Sequence, residues 1–296
     1  MLRREATANY SIVRAMRGSR FWRWRQPSAG VAFTNHSIVA LNIANEARSG
    51  ETELPGGLIE SSAVTPNIQS VGELAQIVER ALADVGVARE RLALVLPDLA
   101  TTTVVLPARE RSRRPARELR RELAAGLPYP VGEARCDFWR GQHDEILGVA
   151  VRTAVVQQYE RIVEAVDCQL GWVDSASLCH IPSQVSRRVR AERLEVHAQL
   201  YADHYCLTVV RGGELIDTRI KLRSAGDFER VAREVLRAPV LHDSETIDSL
   251  HLSGKDAAAV AELLRDAGVG EVRVDCDGER QHLVSSIERL LERGTP

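Results

Sequence analysis

The sequence predicts an α/β protein of two similarly built lobes, and three observations support this fold class. Short apolar runs rich in β-branched residues alternate with stretches of helical period in both halves of the chain. The chain has 296 residues with 44% apolar positions, which is enough to bury the cores of two domains. A charged segment at 182–193 separates the two halves, and we interpret it as a hinge.

The predicted elements of the first half alternate between strand and helix. In chain order they are a hairpin of two strands at 31–43, a helix at 67–86, strands at 92–96 and 101–106, and a helix at 109–125. The first helix is predicted because apolar residues from Leu74 to Val85 recur at helical spacing and Gly86 ends the pattern. The second is rich in arginine, which indicates either a solvated face with neighbouring carboxylates or an anionic partner.

The rest of the chain continues the alternation of strands and helices. The predicted elements are a strand at 145–151, a helix at 153–168, an edge strand at 171–174, paired strands within 194–221, a helix at 224–237, a strand at 249–252, a helix at 255–268, a strand at 272–274 and a helix at 281–292. Ser224 is the expected N-cap of its helix. Gly212 and Gly213 favour a tight turn within 194–221, because glycine adopts positive φ without strain.

Composition excludes several classes of protein. The five cysteines form no CxxC pair and are odd in number, which predicts a reducing compartment and no disulfide framework. No apolar run approaches the roughly 20 residues that span a bilayer, and the N-terminus lacks the uninterrupted apolar stretch of a signal peptide. We therefore expect a cytoplasmic protein.

Residues 1–27 form a basic, aromatic tail. Seven arginines and one glutamate give the tail a side-chain charge of +6, which leaves −8 for the rest of a chain whose net charge is −2. Interleaved aromatics and arginines suit an anionic membrane surface, but RNA or a flexible tail that covers the domain edge would also explain them. The candidate membrane residues are Phe21, Trp22, Arg23, Trp24 and Arg25.

Five segments carry a family resemblance. They are LPGGLI at 54–59, LALVLPDLATTTVVLPA at 92–108, LPYPVGEARCDFW at 127–139, LGVAVRTAVVQQYERIVEAV at 147–166 and VRGGELIDTRI at 210–220. In this order they resemble PilM, the actin-like cytoplasmic protein of type IV pilus assembly, and the GspL-like cytoplasmic domains of type II secretion. The resemblance implies an actin-like (ribonuclease H-like) α/β fold of two lobes. The first lobe, 28–190, would carry a small inserted α/β subdomain at about 92–152, before a reduced second lobe at 191–280 and a C-terminal helix at 281–296.

PilM proteins generally bind ATP between the lobes through three short loops, and this sequence departs from the family at each of them. The acid and glycines of the first loop are replaced around Thr34, Asn35 and His36, and Gln199 and Tyr201 stand at the second. We therefore expect no well-placed carboxylate at the 199–201 turn. The third loop reads Ser253-Gly254 in place of a glycine-rich sequence, and only 26 residues lie between Ile220 and Ile247, where the family has a further helical subdomain. The resemblance therefore implies a pseudo-ATPase with no catalytic residue and no bound cofactor.

Other chemistry has weaker support in the sequence. Gly254-Lys255 does not fit a P-loop, because Ser249 replaces the first glycine and Asp256 replaces the Ser or Thr after the lysine. Cys179-His180 and the His204–Cys206 segment offer two metal ligands each, whereas a structural zinc site needs four, so we expect no metal. Asp203 and His204 lack the nucleophile elbow of a hydrolase triad.

The resemblance also implies a partner, the N-terminal cytoplasmic peptide of a PilN-like bitopic inner-membrane protein. The candidate peptide-binding residues are Leu96, Pro97, Leu127, Pro128, Tyr129, Pro130 and Trp139. An alternative is that the prolines only stiffen a loop and that Trp139 belongs to the core. The expected function is a non-catalytic platform scaffold, peripheral to the inner membrane and open to homo-oligomerisation. The alternatives are an ATP-binding ATPase of the same platform and a nucleic-acid-binding protein that uses the basic tail, although no nucleic-acid partner is expected.

Overall fold

The computed structural model describes residues 27–44, 47–106, 116–141, 145–185, 193–244, 246–275 and 278–292. The candidate membrane residues of the tail, Phe21 to Arg25, lie outside this part of the chain, as does most of the predicted hinge. No helix among the described residues is long and apolar enough to cross a bilayer.

The strands, in chain order, are β1 (Ala29–Phe33), β2 (Ser37–Asn42), β3 (Arg48–Glu53), β4 (Arg91–Leu96), β5 (Thr101–Leu106), β6 (Ala134–Arg140), β7 (Ile146–Arg152), β8 (Gln169–Ser175), β9 (Leu194–Leu200), β10 (His204–Arg211), β11 (Glu214–Leu222), β12 (Ser249–Gly254) and β13 (Val272–Asp275). The helices are α1 (Val71–Asp84), α2 (Ala116–Ala124), α3 (Thr153–Ala165), α4 (Ile181–Val185), α5 (Phe228–Leu236), α6 (Ala238–Leu241), α7 (Ala257–Asp266) and α8 (Glu279–Glu292).

Each lobe contains its own five-stranded sheet, and the two sheets have the same topology. The first sheet has the order β3-β2-β1-β4-β8 and the second has the order β11-β10-β9-β12-β13. In each sheet the first three strands in sequence form an antiparallel meander, and the last two run parallel to the first. The repeated topology agrees with the prediction of two similar lobes.

Helices α1 and α3 cover one face of the first sheet. Ser70 caps α1 by accepting a hydrogen bond from the Glu73 amide at 3.3 Å, so this helix begins four residues later than predicted. The predicted apolar stripe of α1 is buried, and fully burying one Leu, Ile or Val side chain stabilises a fold by roughly 1.5–3 kcal/mol. In α3, Tyr159 packs edge-on against Phe33 of β1 with ring centroids 5.2 Å apart.

Helix α8 covers the other face of the first sheet, although it follows the second lobe in sequence. Its buried side chains Leu283, Ile287 and Leu290 pack in one cluster with residues of β1, β2 and β4. The C-terminal helix is therefore structurally part of the first lobe.

The subdomain inserted in the first lobe is a three-stranded antiparallel sheet of order β5-β7-β6 with α2 packed against it. Its predicted start at about residue 92 is wrong, because β4 pairs with β1 and β8 in the first sheet, so the insertion begins at Thr101. Arg135 of β6 connects the insertion to the lobe through a bidentate ion pair with Glu160 of α3. The distance from Arg135 Nη2 to Glu160 Oε2 is 3.0 Å.

Helices α5 and α7 cover the apolar face of the second sheet, where Val231 and Leu264 are fully buried. The predicted N-cap Ser224 is wrong: α5 begins at Phe228 with Asp227 in the cap position, and Ser224 accepts a backbone bond from Asp227.

Candidate functional site: the cleft between the lobes

The cleft is formed where the first turn of each lobe meets the other. In the turn between β1 and β2, the Thr34 hydroxyl accepts hydrogen bonds from the amides of His36 at 3.1 Å and Ser37 at 2.8 Å. The Thr34 amide in turn donates to the Ser37 carbonyl at 2.9 Å. Backbone amides of the kind that hold phosphate in an anion-binding turn are thus already bonded within this turn.

Asn35 connects this turn to the second lobe. Its Nδ2 donates to Asp203 Oδ2, which lies in the turn between β9 and β10. Its Oδ1 accepts two hydrogen bonds from Ser61, from the amide at 2.8 Å and from the hydroxyl at 2.6 Å. A single amide side chain therefore joins three separate segments across the cleft.

His204, the first residue of β10, lies between two carboxylates. Its Nδ1 is 2.6 Å from Asp203 Oδ1 and its Nε2 is 3.4 Å from Asp98 Oδ2. Asp98, which follows β4, is 1% exposed and also accepts hydrogen bonds from the Ser177 amide at 2.9 Å and hydroxyl at 2.8 Å. The predicted 199–201 segment itself supplies no carboxylate, but Asp203, two residues beyond Tyr201, brings one into the cleft.

The charges of this network stabilise one another. Burial opposes the imidazolium form of His204, but the hydrogen bonds that it donates to both carboxylates, and their negative charges, outweigh burial and raise its pKa to about 9. Burial likewise opposes the charged forms of Asp98 and Asp203, and the contacts with His204 reverse the effect and lower the pKa of both carboxyls. At neutral pH the cleft therefore holds one imidazolium between two carboxylates.

Tyr201 closes the network from the side of the second lobe. Its ring stacks on His204 with centroids 4.4 Å apart and planes 6° from parallel. The side chain is 2% exposed, and burial raises the pKa of its phenol well above the usual value. Gln199, predicted in the same loop, does not enter this network; with Ser253 it lines a different cavity, which lies between the second lobe and helices α4 and α8.

Arg223 holds the second and third predicted loops together. Its side chain is fully buried, and its Nε donates to the Tyr201 carbonyl at 2.6 Å. Its Nη2 donates to the Asp256 carboxylate at 3.1 Å and to the Lys255 carbonyl at 3.3 Å. The partners of this buried arginine are 22 to 33 residues away along the chain, so no local sequence motif identifies its role.

Gly254 is required where the third loop passes the end of β9. It has a φ of 90°, and a Cβ at this position would lie 2.1 Å from the Leu200 carbonyl oxygen. The amide of Lys255 donates to that same oxygen at 2.9 Å. The two loops thus touch through backbone atoms, which only glycine allows.

Little space remains among these groups. The cavity at the centre of the cleft has a volume of about 10 Å³, comparable with the space that one water molecule needs. Thr34, Asn35, Asp98, Tyr201 and Asp203 are among its lining residues. In this arrangement the protein's own side chains fill the space around Asn35, Asp98 and Asp203.

The candidate peptide-binding residues do not share one exposed surface. Leu96 is 0% exposed at the end of β4, and Pro97 lines the small cavity of the cleft. Tyr129 and Trp139 are 6% and 7% exposed and belong to two different apolar clusters, as the alternative interpretation of Trp139 predicts. Pro128 and Pro130 are exposed, and Leu127 is half-buried between α2 and β6.

Comparison with known proteins gives structural neighbours and no sequence relatives. No protein-family model and no curated protein matches the chain. Among solved structures, the chain is similar to the PilM-PilN type IV pilus biogenesis complex at a TM-score of 0.67 and 15% identity, over 90% of this chain and 96% of that chain. It is similar to a Bacteroides thetaiotaomicron protein of actin-like ATPase fold and unknown function at a TM-score of 0.59 and 12% identity, over 93% and 99% of the two chains.

A third neighbour is the cytoplasmic domain of EpsL, an inner-membrane component of the type II secretion system of Vibrio cholerae. The TM-score is 0.51 with 10% identity, over 87% of this chain and 93% of that domain. At such low identities the likeness concerns the fold. It confirms the actin-like, two-lobed architecture and, at the level of the fold, the resemblance to PilM and to GspL-like domains.

Proposed function

We propose that this protein is a non-catalytic, actin-like scaffold of a type IV pilus or related secretion platform. The fold shared with the PilM-PilN complex and with the EpsL cytoplasmic domain supports the platform assignment. One observation carries the non-catalytic part: protein side chains bridge all three loops that would hold a nucleotide in this fold. Asn35 joins the first loop to the second through Asp203, and Arg223 joins the second to the third.

The bridges make nucleotide entry costly. ATP would have to break the Asn35 contact with Asp203 and place its phosphates near Asp98 and Asp203, two carboxylates whose pKa values are lowered. Bringing an anion to that pair is electrostatically unfavourable unless a metal ion intervenes, and the cation between them, His204, already contacts both carboxylates. Hydrogen bonds and ion pairs hold the two lobes together, which is consistent with a rigid scaffold.

Calorimetric titration of the full chain with Mg-ATP tests the non-catalytic proposal. We expect no measurable heat of binding and no phosphate release. Micromolar binding would contradict the proposal and favour the alternative, an ATPase of the same platform whose cleft opens in solution. The Arg223→Ala variant, which removes one bridge, serves as a comparison for any weak binding.

The proposed partner is the N-terminal cytoplasmic peptide of a PilN-like inner-membrane protein. The insertion offers an edge strand, β6, and a connection at 127–130 whose Pro128 and Pro130 side chains are exposed. An extended peptide can add its backbone hydrogen bonds to such an edge and place alternate side chains in neighbouring pockets. We propose this part of the insertion as the contact surface, in place of the buried Leu96 and Trp139.

Labelled N-terminal cytoplasmic peptides of PilN-like bitopic proteins provide the test, with fluorescence anisotropy as the readout. We expect saturable binding that weakens at least tenfold when Arg140, exposed at the end of β6, is replaced by proline, which distorts the edge. Glu133→Ala, an exposed change just before β6, is the matched control. Binding that is unaffected by Arg140→Pro would place the peptide elsewhere.

We further propose that the tail at 1–27 brings the protein to the inner-membrane surface. Its +6 charge and its aromatic residues support contact with anionic lipids. Flotation with vesicles that contain phosphatidylglycerol tests this directly, and deletion of 1–27 is expected to abolish the association. Retention on RNA at the same ionic strength, but not on vesicles, would favour nucleic acid as the partner of the tail.

A further inference from the structure

We propose that the second lobe contains a binding site for a divalent transition-metal ion, with zinc as the first candidate. The site is formed by Glu195 and His197 of β9 together with His251 of β12. The ligand atoms of these three side chains all lie within 4.8 Å of one another. The site is separate from the cleft network and from the proposed platform function.

Strand register brings the three side chains together. β9 and β12 are parallel neighbours in which His197 and His251 are paired directly, and Glu195 lies two residues before His197 on the same face. Glu195 Oε2 is 3.9 Å from His197 Nε2. The opposite face of the same strands carries Val196 and Leu250, which are fully buried in the core. The polar residues thus alternate cleanly with the apolar ones, and one face of this sheet is reserved for polar groups.

The ligand chemistry fits zinc. Two imidazoles and one carboxylate are the donors of a common three-ligand site, in which water or another small ligand takes the fourth position. Glu195 and His197 are 5% and 6% exposed, so the ion would be shielded on the side of the sheet. The Ser249 hydroxyl, 2.9 Å from His251 Nε2, lies beside the same cluster. Borderline nitrogen and oxygen donors of this kind select zinc, cobalt or nickel over calcium or magnesium.

An adjoining cavity gives access to the fourth position. It has a volume of about 190 Å³, is lined by His197 and His251 on one side, and is closed by residues of α4 and α8 on the other. Two buried amide oxygens in its wall, those of Gln184 and Gln199, have no hydrogen-bond partner among the described residues. Both can accept hydrogen bonds from a metal-bound water or from a small ligand with N–H or O–H groups.

Binding requires a small rearrangement. The rings of His197 and His251 are stacked with centroids 4.6 Å apart and planes 11° from parallel, whereas an ion must lie near the plane of each imidazole that binds it. Both imidazoles must rotate about their final side-chain bonds until one nitrogen of each faces the Glu195 carboxylate. The ligand separations must then fall to the roughly 3.4 Å that tetrahedral geometry and bonds of about 2.1 Å require. His251 is the partly exposed member of the cluster and has the most room to turn.

The test uses the full chain after treatment with a chelator, titrated with zinc chloride by calorimetry at neutral pH. We expect one equivalent to bind, and affinity to fall at least tenfold in His251→Gln and in Glu195→Gln, which keeps the shape of the side chain. His282→Gln is the matched control, because this residue lines the same cavity from α8 but is not one of the three ligands. X-ray absorption of the zinc-loaded protein is expected to show nitrogen and oxygen ligands only.

Three outcomes would overturn the proposal: no stoichiometric binding, affinity that is unchanged in both ligand variants, or a zinc–sulfur distance near 2.3 Å, which would assign the metal to cysteines. Loss of affinity in His282→Gln equal to that in His251→Gln would also contradict the ligand assignment. Circular dichroism of each metal-free variant establishes that it is folded. If one substitution prevents folding, the absorption spectrum of the unaltered protein loaded with cobalt still distinguishes nitrogen and oxygen ligation from thiolate ligation.

Discussion

The Asn35 side chain of the first lobe donates a hydrogen bond to the Asp203 carboxylate of the second lobe. These residues are 168 positions apart in sequence, and their contact closes the cleft in which an actin-like protein would hold a nucleotide. Because Asn35 also accepts two hydrogen bonds from Ser61, it fixes the relative position of three segments at once.

Replacing Asn35 by alanine is expected to destabilise the protein by about 1–3 kcal/mol, because Asp203 and Ser61 lose a partner in a partly buried cleft. Urea unfolding measures the change. Thr65→Ala, an exposed position, is the control and should remain within about 0.5 kcal/mol of the unaltered protein. An equal loss of unfolding free energy in both variants would show that the Asn35 hydrogen bonds do not stabilise the protein.

The stability of the protein is expected to fall on the alkaline side because of His204. Its pKa is raised from 6.5 to about 9 in the folded protein, so its contribution is fully present below pH 6.5 and is lost as the pH rises through about 9. This shift corresponds to a contribution on the order of 3 kcal/mol. Asp98 and Asp203 have lowered pKa values, so their contributions are present above pH 3.8 and are lost as the pH falls below it.

Unfolding free energies measured across this range check the prediction, with maximal stability expected between the two limits. The His204→Gln variant should lose the alkaline dependence and should also be less stable at neutral pH, since the buried Asp98 and the half-buried Asp203 carboxylates lose their cation. His242→Gln, at a partly exposed pair with Asp217, is the control and should keep the dependence. If the unfolding free energy of His204→Gln still fell at alkaline pH as in the unaltered protein, other groups would be responsible for that dependence.

Gly254→Ala is expected to cost several kcal/mol of stability, because its Cβ would lie 2.1 Å from the Leu200 carbonyl oxygen. Gly268→Ala separates this steric effect from backbone strain. Gly268 also has a positive φ, 84°, but no atom lies within 4 Å of its Cβ position, so only the left-handed backbone cost of about 1 kcal/mol should remain. Similar thermal midpoints for the two variants would contradict the steric explanation.

Arg223→Met is expected to destabilise the protein by about 3–5 kcal/mol, because Asp256 and two carbonyls lose a buried cationic donor. Arg223→Lys should restore little, since one ammonium group does not reproduce the planar fork of the guanidinium. Arg230→Met, which removes an exposed ion pair with Asp227, should change the unfolding free energy by less than about 1 kcal/mol. Full recovery in the lysine variant would mean that charge alone is sufficient.

Periodicity predicted the longer helices and the buried strands, but not the short helices α4 and α6. The apolar stripe of α1 and the strand at Thr101–Leu106 are present as expected, because burial of one face leaves a regular pattern in the sequence. Strands β3 and β6 were not predicted. β3 reads RSGETE and lies exposed at the edge of its sheet, so no apolar alternation marks it, and its pairing with β2 decides its structure.

The candidate site was predicted in its location but not in its chemistry. The loops around Asn35 and Tyr201 were identified from the family pattern, whereas Asp98 and His204 are 106 residues apart and meet only because the two lobes close. The pairing of His197 with His251 depends in the same way on the register of two strands that are separated by β10, β11, α5 and α6. Contacts of this kind leave no local pattern from which to infer them.

The position of α8 also has a consequence for the order in which the chain folds. The first sheet is complete once β8 has been synthesised, but its face made by Ala32, Val39 and Ala93 packs against Leu283 and Ile287 of α8, which is synthesised last. A chain emerging from the ribosome therefore presents an uncovered apolar sheet while the whole second lobe is being made. Nascent chains of this protein are expected to need a chaperone during that interval. Docking of α8 onto the first sheet is then the last step in the folding of the first lobe.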